Sequence, residues 1–242
     1  MGLERLDKIL ASQNCGSRKE CGLLIRRGDV TVNGTVIKKV DAKVDPDVDI
    51  LTVKGGVVRF RRHVYIMLNK PQGVVSASRD PREPTVIDLL PQEMRRRGLF
   101  PAGRLDKDTE GLLIITDDGD LAHKMLAPKS HVYKLYHAVV DAPVSEEDIQ
   151  AFAQGIQLED VMCLSAGLGV IQDGPNPLVW VKIREGKFHQ VKRMFLARGK
   201  TVLRLKRMQV GDLALDPSLA PGEARELTED ELKSIFNIAN LY

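Results

Sequence analysis

A chain of 242 residues with 43% hydrophobic content can bury one sizeable core, or one core and a small satellite domain. No apolar run approaches the roughly 20 residues needed to cross a bilayer, and MGLERLDKIL is charged from its fourth residue, so neither a membrane span nor a secretory signal is expected. The net charge of +3 hides an uneven spread, with a local +5 over residues 1–62, +9 over residues 182–207 and −11 elsewhere, which suits a polyanionic partner.

The first elements read as a small α/β module. Leu3, Leu6, Ile9 and Leu10 recur at helical spacing. Ser17-Arg18-Lys19-Glu20 is a capping box opening a second helix, which carries Cys21, Leu24 and Ile25 and ends at Arg26-Arg27-Gly28. Val30–Val32, the turn dipeptide Asn33-Gly34 and Thr35–Ile37 form a hairpin, and Asp49–Val53 adds a strand. Gly55-Gly56 and the basic residues Arg59, Arg61 and Arg62 read as a flexible linker. Domain boundaries of 1–60 and 63–242 follow.

In the larger domain, Tyr65–Leu68 is a strand running into the turn Asn69-Lys70-Pro71-Gln72-Gly73, and Thr85–Leu90 reads as a short helix. Leu112–Ile115 is the continuous apolar run of a strand buried on both faces, closed by Asp117-Asp118-Gly119-Asp120. Leu121–Leu126 is a short helix, Lys134–Val140 an alternating strand, and Ser145 caps a helix to Phe152. Leu178–Ile183 is a strand, His189–Arg198 a helix stopped by Gly199, and Val202–Lys206 a half-buried strand. Thr228 caps a last helix carrying Leu232, Ile235, Phe236 and Ile238. Strands often follow one another without a crossover helix, so the fold class is α+β on a mixed, mainly antiparallel sheet.

Cys15, Cys21 and Cys163 are scattered, and none of the five His lies at zinc-ligand spacing from them, so no disulfide or metal site is expected. The chemistry points instead to Gly103-Arg104-Leu105-Asp106, which sets a carboxylate beside a cation just ahead of the apolar strand. A carboxylate held at the rim of a buried sheet has the fixed geometry a nucleophile or base needs. A structural Arg104–Asp106 ion pair is the plainer alternative. Asp106-Lys107-Asp108-Thr109 also has the D-x-D-x-T form of aspartyl-phosphate phosphatases, but there the apolar strand precedes the motif and here it follows.

RLDKILA and SRKECGLLIRRGDVTVNGTVI resemble an S4-type RNA-binding domain. That resemblance places an RNA-facing surface at Arg18, Lys19, Arg26, Arg27 and Asn33. NKPQG, GRLD-x-x-T-x-GLL with its T-x-DG turn, the KxY pair at Lys134 and Tyr136, and EG-x-x-HQVKRM resemble, in order, the bacterial pseudouridine synthases of the small-ribosomal-subunit type. The resemblance implies isomerisation of uridine to pseudouridine in structured rRNA, with uridine 516 of 16S rRNA as the expected target. A large-subunit (23S) target and a non-catalytic ribosome-assembly factor are the alternatives. It carries the catalytic aspartate to Asp106, the adjoining arginine to Arg104, the base-stacking aromatic to Tyr136 and the carboxylate's basic partner to Lys192. Lys70, Lys187, His189, Arg193, Arg204, Lys206 and Arg207 would extend the RNA-binding surface. The chemistry implied uses no cofactor and no metal. The expected setting is a cytoplasmic monomer, free of membranes, acting on a small-subunit precursor particle.

Overall fold

The computed structural model describes residues 2–127, 130 and 132–236. Contacts divide them into two compact units, one running to His63 with Met94–Gly98, the other comprising Val64–Glu93 and the chain from Leu99 onward.

The first unit holds β1 (Glu4–Arg5), α1 (Leu6–Ser12), α2 (Arg18–Arg27), β2 (Val30–Val32), β3 (Thr35–Val36), β4 (Lys43–Val44), β5 (Leu51–Val53) and β6 (Gly56–Val58). Ser17 and Glu20 exchange side-chain-to-backbone hydrogen bonds at the start of α2, and Gly28 ends it at φ 85°, the left-handed value glycine adopts without a Cβ penalty. Leu6, Ile9, Leu10, Cys21, Ile25, Val30, Val44 and Leu51 make the core. Burial pushes the Cys21 thiol up to about 11, as suits an unreactive packing residue. Leu3 lies outside α1 and is exposed. The expected linker begins too early: Lys54 and Gly55 both take positive φ and turn β5 into β6, so residues 56–58 belong to the sheet β3-β2-β5-β6.

The second unit runs β7 (Tyr65–Lys70), β8 (Phe100–Pro101), β9 (Glu110–Thr116), α3 (Gly119–Leu126), β10 (Lys134–Val140), α4 (Glu146–Gln154), β11 (Gly167–Gln172), β12 (Leu178–Ile183), α5 (Gln190–Leu196), β13 (Val202–Val210), β14 (Leu213–Ala214), β15 (Ala224–Glu226) and α6 (Glu229–Ser234). Its sheet has the order β11-β12-β10-β13-β9-β7-β15, with β8 on β9 and β14 on β13. Every pairing is antiparallel except β9 with β13. At that parallel contact Gly111 has φ 104°, and a Cβ there would stand 2.2 Å from the Arg207 carbonyl oxygen, so only glycine lets the two strands meet. All seven residues of β9 are buried, which explains its unbroken apolar run.

Thr85–Leu90 is a turn rather than a helix. The Asp88 carboxylate takes both the backbone N–H and the hydroxyl of Thr85 at 2.8 Å, a local bond that competes with helix formation, and Pro91 blocks continuation. Ile238, expected on the last helix, lies outside the described residues.

Asp148 ties α4 to the end of α5. It is 1% exposed, closes the capping box with Ser145, and meets Arg198 Nε at 2.9 Å and Lys200 Nζ at 2.6 Å. Burial alone would raise its pKa, but Lys200, the Ser145 N–H and Arg198 outweigh that and hold it at about 2. A depressed carboxylate contributes stability above its unfolded value of 3.8 and loses it as pH falls through about 2. Asp148→Asn should therefore cost about 2–4 kcal/mol at neutral pH. Urea midpoints of parent and variant should converge as the pH drops toward 2.

Candidate active site

Asp106 sits in the loop between β8 and β9, and its position is fixed from below. Lys70, the last residue of β7, is fully buried. Its Nζ donates to the carbonyls of Pro71 (3.0 Å), Asp106 (3.0 Å), Lys107 (3.3 Å) and Thr109 (2.9 Å). Gly73 N–H also donates to Lys107 O at 2.8 Å. Ser76 Oγ donates to Leu105 O at 2.8 Å and accepts from Leu105 N–H at 3.0 Å. The NKPQG turn and the residues after it are thus a clamp on the Asp106 loop. Burial lowers the Lys70 pKa to about 8, against the opposing pull of Asp108, Asp106 and Glu110.

The carboxylate itself faces two groups from the start of α5. Lys192 Nζ lies 3.3 Å from Asp106 Oδ2 and 2.5 Å from Asp108 Oδ1. His189 Nε2 lies 3.5 Å from Asp106 Oδ1. The Asp106 side chain is 30% exposed, open enough to meet a ligand. Lys192 holds Asp108 below the usual carboxylate range. Arg104, Asp106, Thr109, Tyr136, Lys187, His189 and Gln190 line one cleft over Leu105, Ile183, Val191 and Leu205. Tyr136, on β10, is 8% exposed and forms part of the cleft wall. The arrangement offers a carboxylate with a lysine ammonium partner, beside an aromatic face on a largely apolar floor. That is the equipment for attack on, or stabilisation of, an electron-poor carbon next to a flat ring.

Residues 64–197 match the RNA pseudouridylate synthase family and residues 4–50 match the S4 domain. A Bacillus subtilis (strain 168) protein named "Uncharacterized RNA pseudouridine synthase YtzG" is 48% identical over 230 residues, covering 94% of this chain and 96% of that one. The Escherichia coli (strain K12) "Ribosomal small subunit pseudouridine synthase A" is 39% identical over 231 residues, covering 96% and 99%. A solved structure titled "Crystal structure of pseudouridylate synthase" superposes with a TM-score of 0.67 at 35% identity, covering 96% and 99%. The chain belongs to the RNA pseudouridylate synthase family. It carries an S4 domain ahead of a mixed, mostly antiparallel synthase domain.

The synthase brings Asp106, Lys192, His189, Arg104, Tyr136 and Lys187 together at one cleft. Arg104 is exposed there, and among the described residues no carboxylate pairs with it, so Asp106 draws its cation from Lys192 instead. Lys187 Nζ is held by Met162 O (2.6 Å) and Glu185 (3.0 Å). Two residues expected on the RNA-facing surface are interior. Lys70 is the loop clamp, and Arg207 is 5% exposed with its Nε donating to Leu112 O at 2.7 Å. Arg193 is bonded to Asp160, and Arg204 to Glu110 at 2.6 Å, while Lys206 on the same strand is half-buried.

In the S4 domain Asn33 also differs from expectation. Its amide donates to Asp49 Oδ1 at 2.8 Å and its oxygen accepts from Ile50 N–H at 2.9 Å, so it holds the loop before β5. Arg18 is bonded to the buried Asp7 at 2.8 Å, while Lys19, Arg26 and Arg27 are exposed. Sequence reasoning missed Ser76 and Gln190 as site-building residues. Gln190 is buried, accepts from Lys187 N–H at 3.0 Å and donates to Glu185 Oε1 at 2.8 Å. An uncharged side chain in a strongly basic run gave no electrostatic signal.

Proposed function

We propose that this synthase isomerises one uridine of small-subunit rRNA, position 516 of the 16S molecule, with Asp106 as the catalytic carboxylate. The observation that carries the reading is the Asp106 carboxylate, open to the cleft and flanked by Lys192 and His189. The choice of the small subunit rests on the near full-length likeness to the Escherichia coli small-subunit synthase, and position 516 on the resemblance of the sequence motifs alone.

The reaction breaks the N1–C1′ glycosidic bond, turns the uracil and joins C5 to C1′. The proton on C5 leaves and N1 gains one, so nothing is oxidised or reduced overall. Asp106 serves either as a nucleophile toward the sugar or base, or as the counter-charge to an electron-poor sugar. Lys192, 3.3 Å away, sets a positive charge beside it. Tyr136 supplies an aromatic face for the extruded base, offsetting part of the few kcal/mol that unstacking costs. Lys19, Arg26 and Arg27 of the S4 domain give sequence-independent grip on phosphates, which suits a folded precursor particle engaged by one copy of the enzyme.

Pseudouridine mapping of rRNA from a deletion strain should show loss at position 516 of 16S rRNA and return on complementation. Loss at a 23S position instead would move the target to the large subunit. Unchanged maps of both molecules would sink the assignment to rRNA.

A further inference from the structure

Phe188 is 75% exposed in a loop whose neighbours face the reacting carboxylate. Lone exposed apolar side chains are ordinary, but this one is built into the site. Its ring stacks on the His189 ring with centroids 3.8 Å apart and planes inclined by 17°. His189 Nε2 in turn lies 3.5 Å from Asp106 Oδ1. The two rings therefore form a short stack leading outward from the carboxylate, at close to the roughly 3.4 Å interval of successive bases in a nucleic-acid strand.

The stack is held in place. His189 has φ 48° and ψ 32°, a left-handed conformation that a residue with a Cβ keeps only when its surroundings impose it. Gln190 provides the restraint, bonding Lys187 N–H and Glu185, while His189 O accepts from Arg193 N–H at 2.9 Å. Phe188 and His189 line an outer compartment with Val75, Ser76 and Lys107. That compartment shares Arg104, Leu105, Asp106, Gly186 and Lys187 with the inner cleft where Tyr136 stands. One face of the Phe188 ring is occupied by His189. The rest is presented to solvent in the compartment that also holds Asp106.

The geometry points to Phe188 as a stacking platform for the nucleobase next to the target uridine. When the uridine leaves the stack, its neighbour loses one partner, and the Phe188–His189 pair replaces it. The platform thereby lowers the cost of extrusion and sets how far the strand enters. The inference rests on the isomerase activity and on no particular rRNA.

The test uses the purified full chain and rRNA isolated from a deletion strain, which carries the unmodified target whichever subunit holds it. Phe188→Ala should lower kcat/KM by about 5- to 150-fold, the range spanned by aromatic–base stacking in alanine substitutions. Phe188→Trp should stay within about threefold of the parent, while Phe188→Leu, apolar but not aromatic, should behave like the alanine variant. Leucine rescuing as well as tryptophan, or an alanine variant equal to the parent, would overturn the platform. A second arm uses RNA fragments spanning the mapped target, with an abasic residue at the 5′ or the 3′ neighbour. Removal of the stacked base should make parent and Phe188→Ala equal on one of the two fragments. A full Phe188→Ala defect on both would assign the ring to something other than a neighbouring base.

Discussion

Asp106→Asn is expected to abolish pseudouridine formation, with turnover at least about 10³-fold below the parent. The change is nearly isosteric and removes one negative charge. It leaves the backbone carbonyl of residue 106, which Lys70 holds, untouched. The fold and the RNA affinity should therefore survive. Affinity could only gain, because an anion disappears from a groove lined by Arg104, Lys187 and Lys192. The split between lost turnover and retained binding is the informative result. A carboxylate that merely organised the loop would lower both together, and one that only balanced charge would lower activity by about 10²- to 10³-fold, the loss found on removing single electrostatic donors. Single-turnover assays with saturating enzyme, read beside a binding titration at fixed salt, separate these cases. Activity close to the parent would remove Asp106 from the chemistry.

Much of the scaffold could be read from local chemistry. The Ser17–Glu20 capping box and the Lys134–Val140 strand fall where the pattern put them, because cap bonds and two-residue alternation are properties of neighbouring residues. Asp106 could be singled out because a polar loop precedes an apolar strand. What could not be read was the direction of long side chains. Lys70 read as part of the RNA-binding surface, yet three of its four carbonyl partners lie 36, 37 and 39 residues away, and no local pattern announces them. Arg207 was partly legible: alternation along β13 puts Arg204 and Lys206 on one face and Leu205 and Arg207 on the other, buried, one. Charge was allowed to outweigh period. The Gly55-Gly56 pair misled for the opposite reason, since glycine permits a tight hairpin as readily as a loose linker.

Lys70→Met should give the second large effect, and its pH dependence gives it a signature. Methionine fills similar space but donates nothing, so the Pro71 and Thr109 carbonyls lose the Lys70 bond and the Asp106 loop loses its clamp. Stranded buried acceptors cost about 1–3 kcal/mol each, giving an expected stability loss of about 2–4 kcal/mol. Turnover should drop further than unfolding explains, by about 10²-fold, because a reacting group displaced by even 1 Å loses that much. In the parent, burial sets the Lys70 pKa at about 8 against 10.5 for the unfolded chain. Between those values the unfolded state binds more protons, so this lysine makes stability rise with pH. Turnover should fall across the same window, since the neutral amine has one donor fewer and no charge with which to hold four carbonyls. Stability and activity thus move in opposite directions above pH 8 in the parent, and the contrast should vanish in Lys70→Met. Denaturant midpoints and kcat measured from pH 7 to 10 on both proteins would show it. Parallel curves in parent and variant would mean that the ammonium does not hold the Asp106 loop.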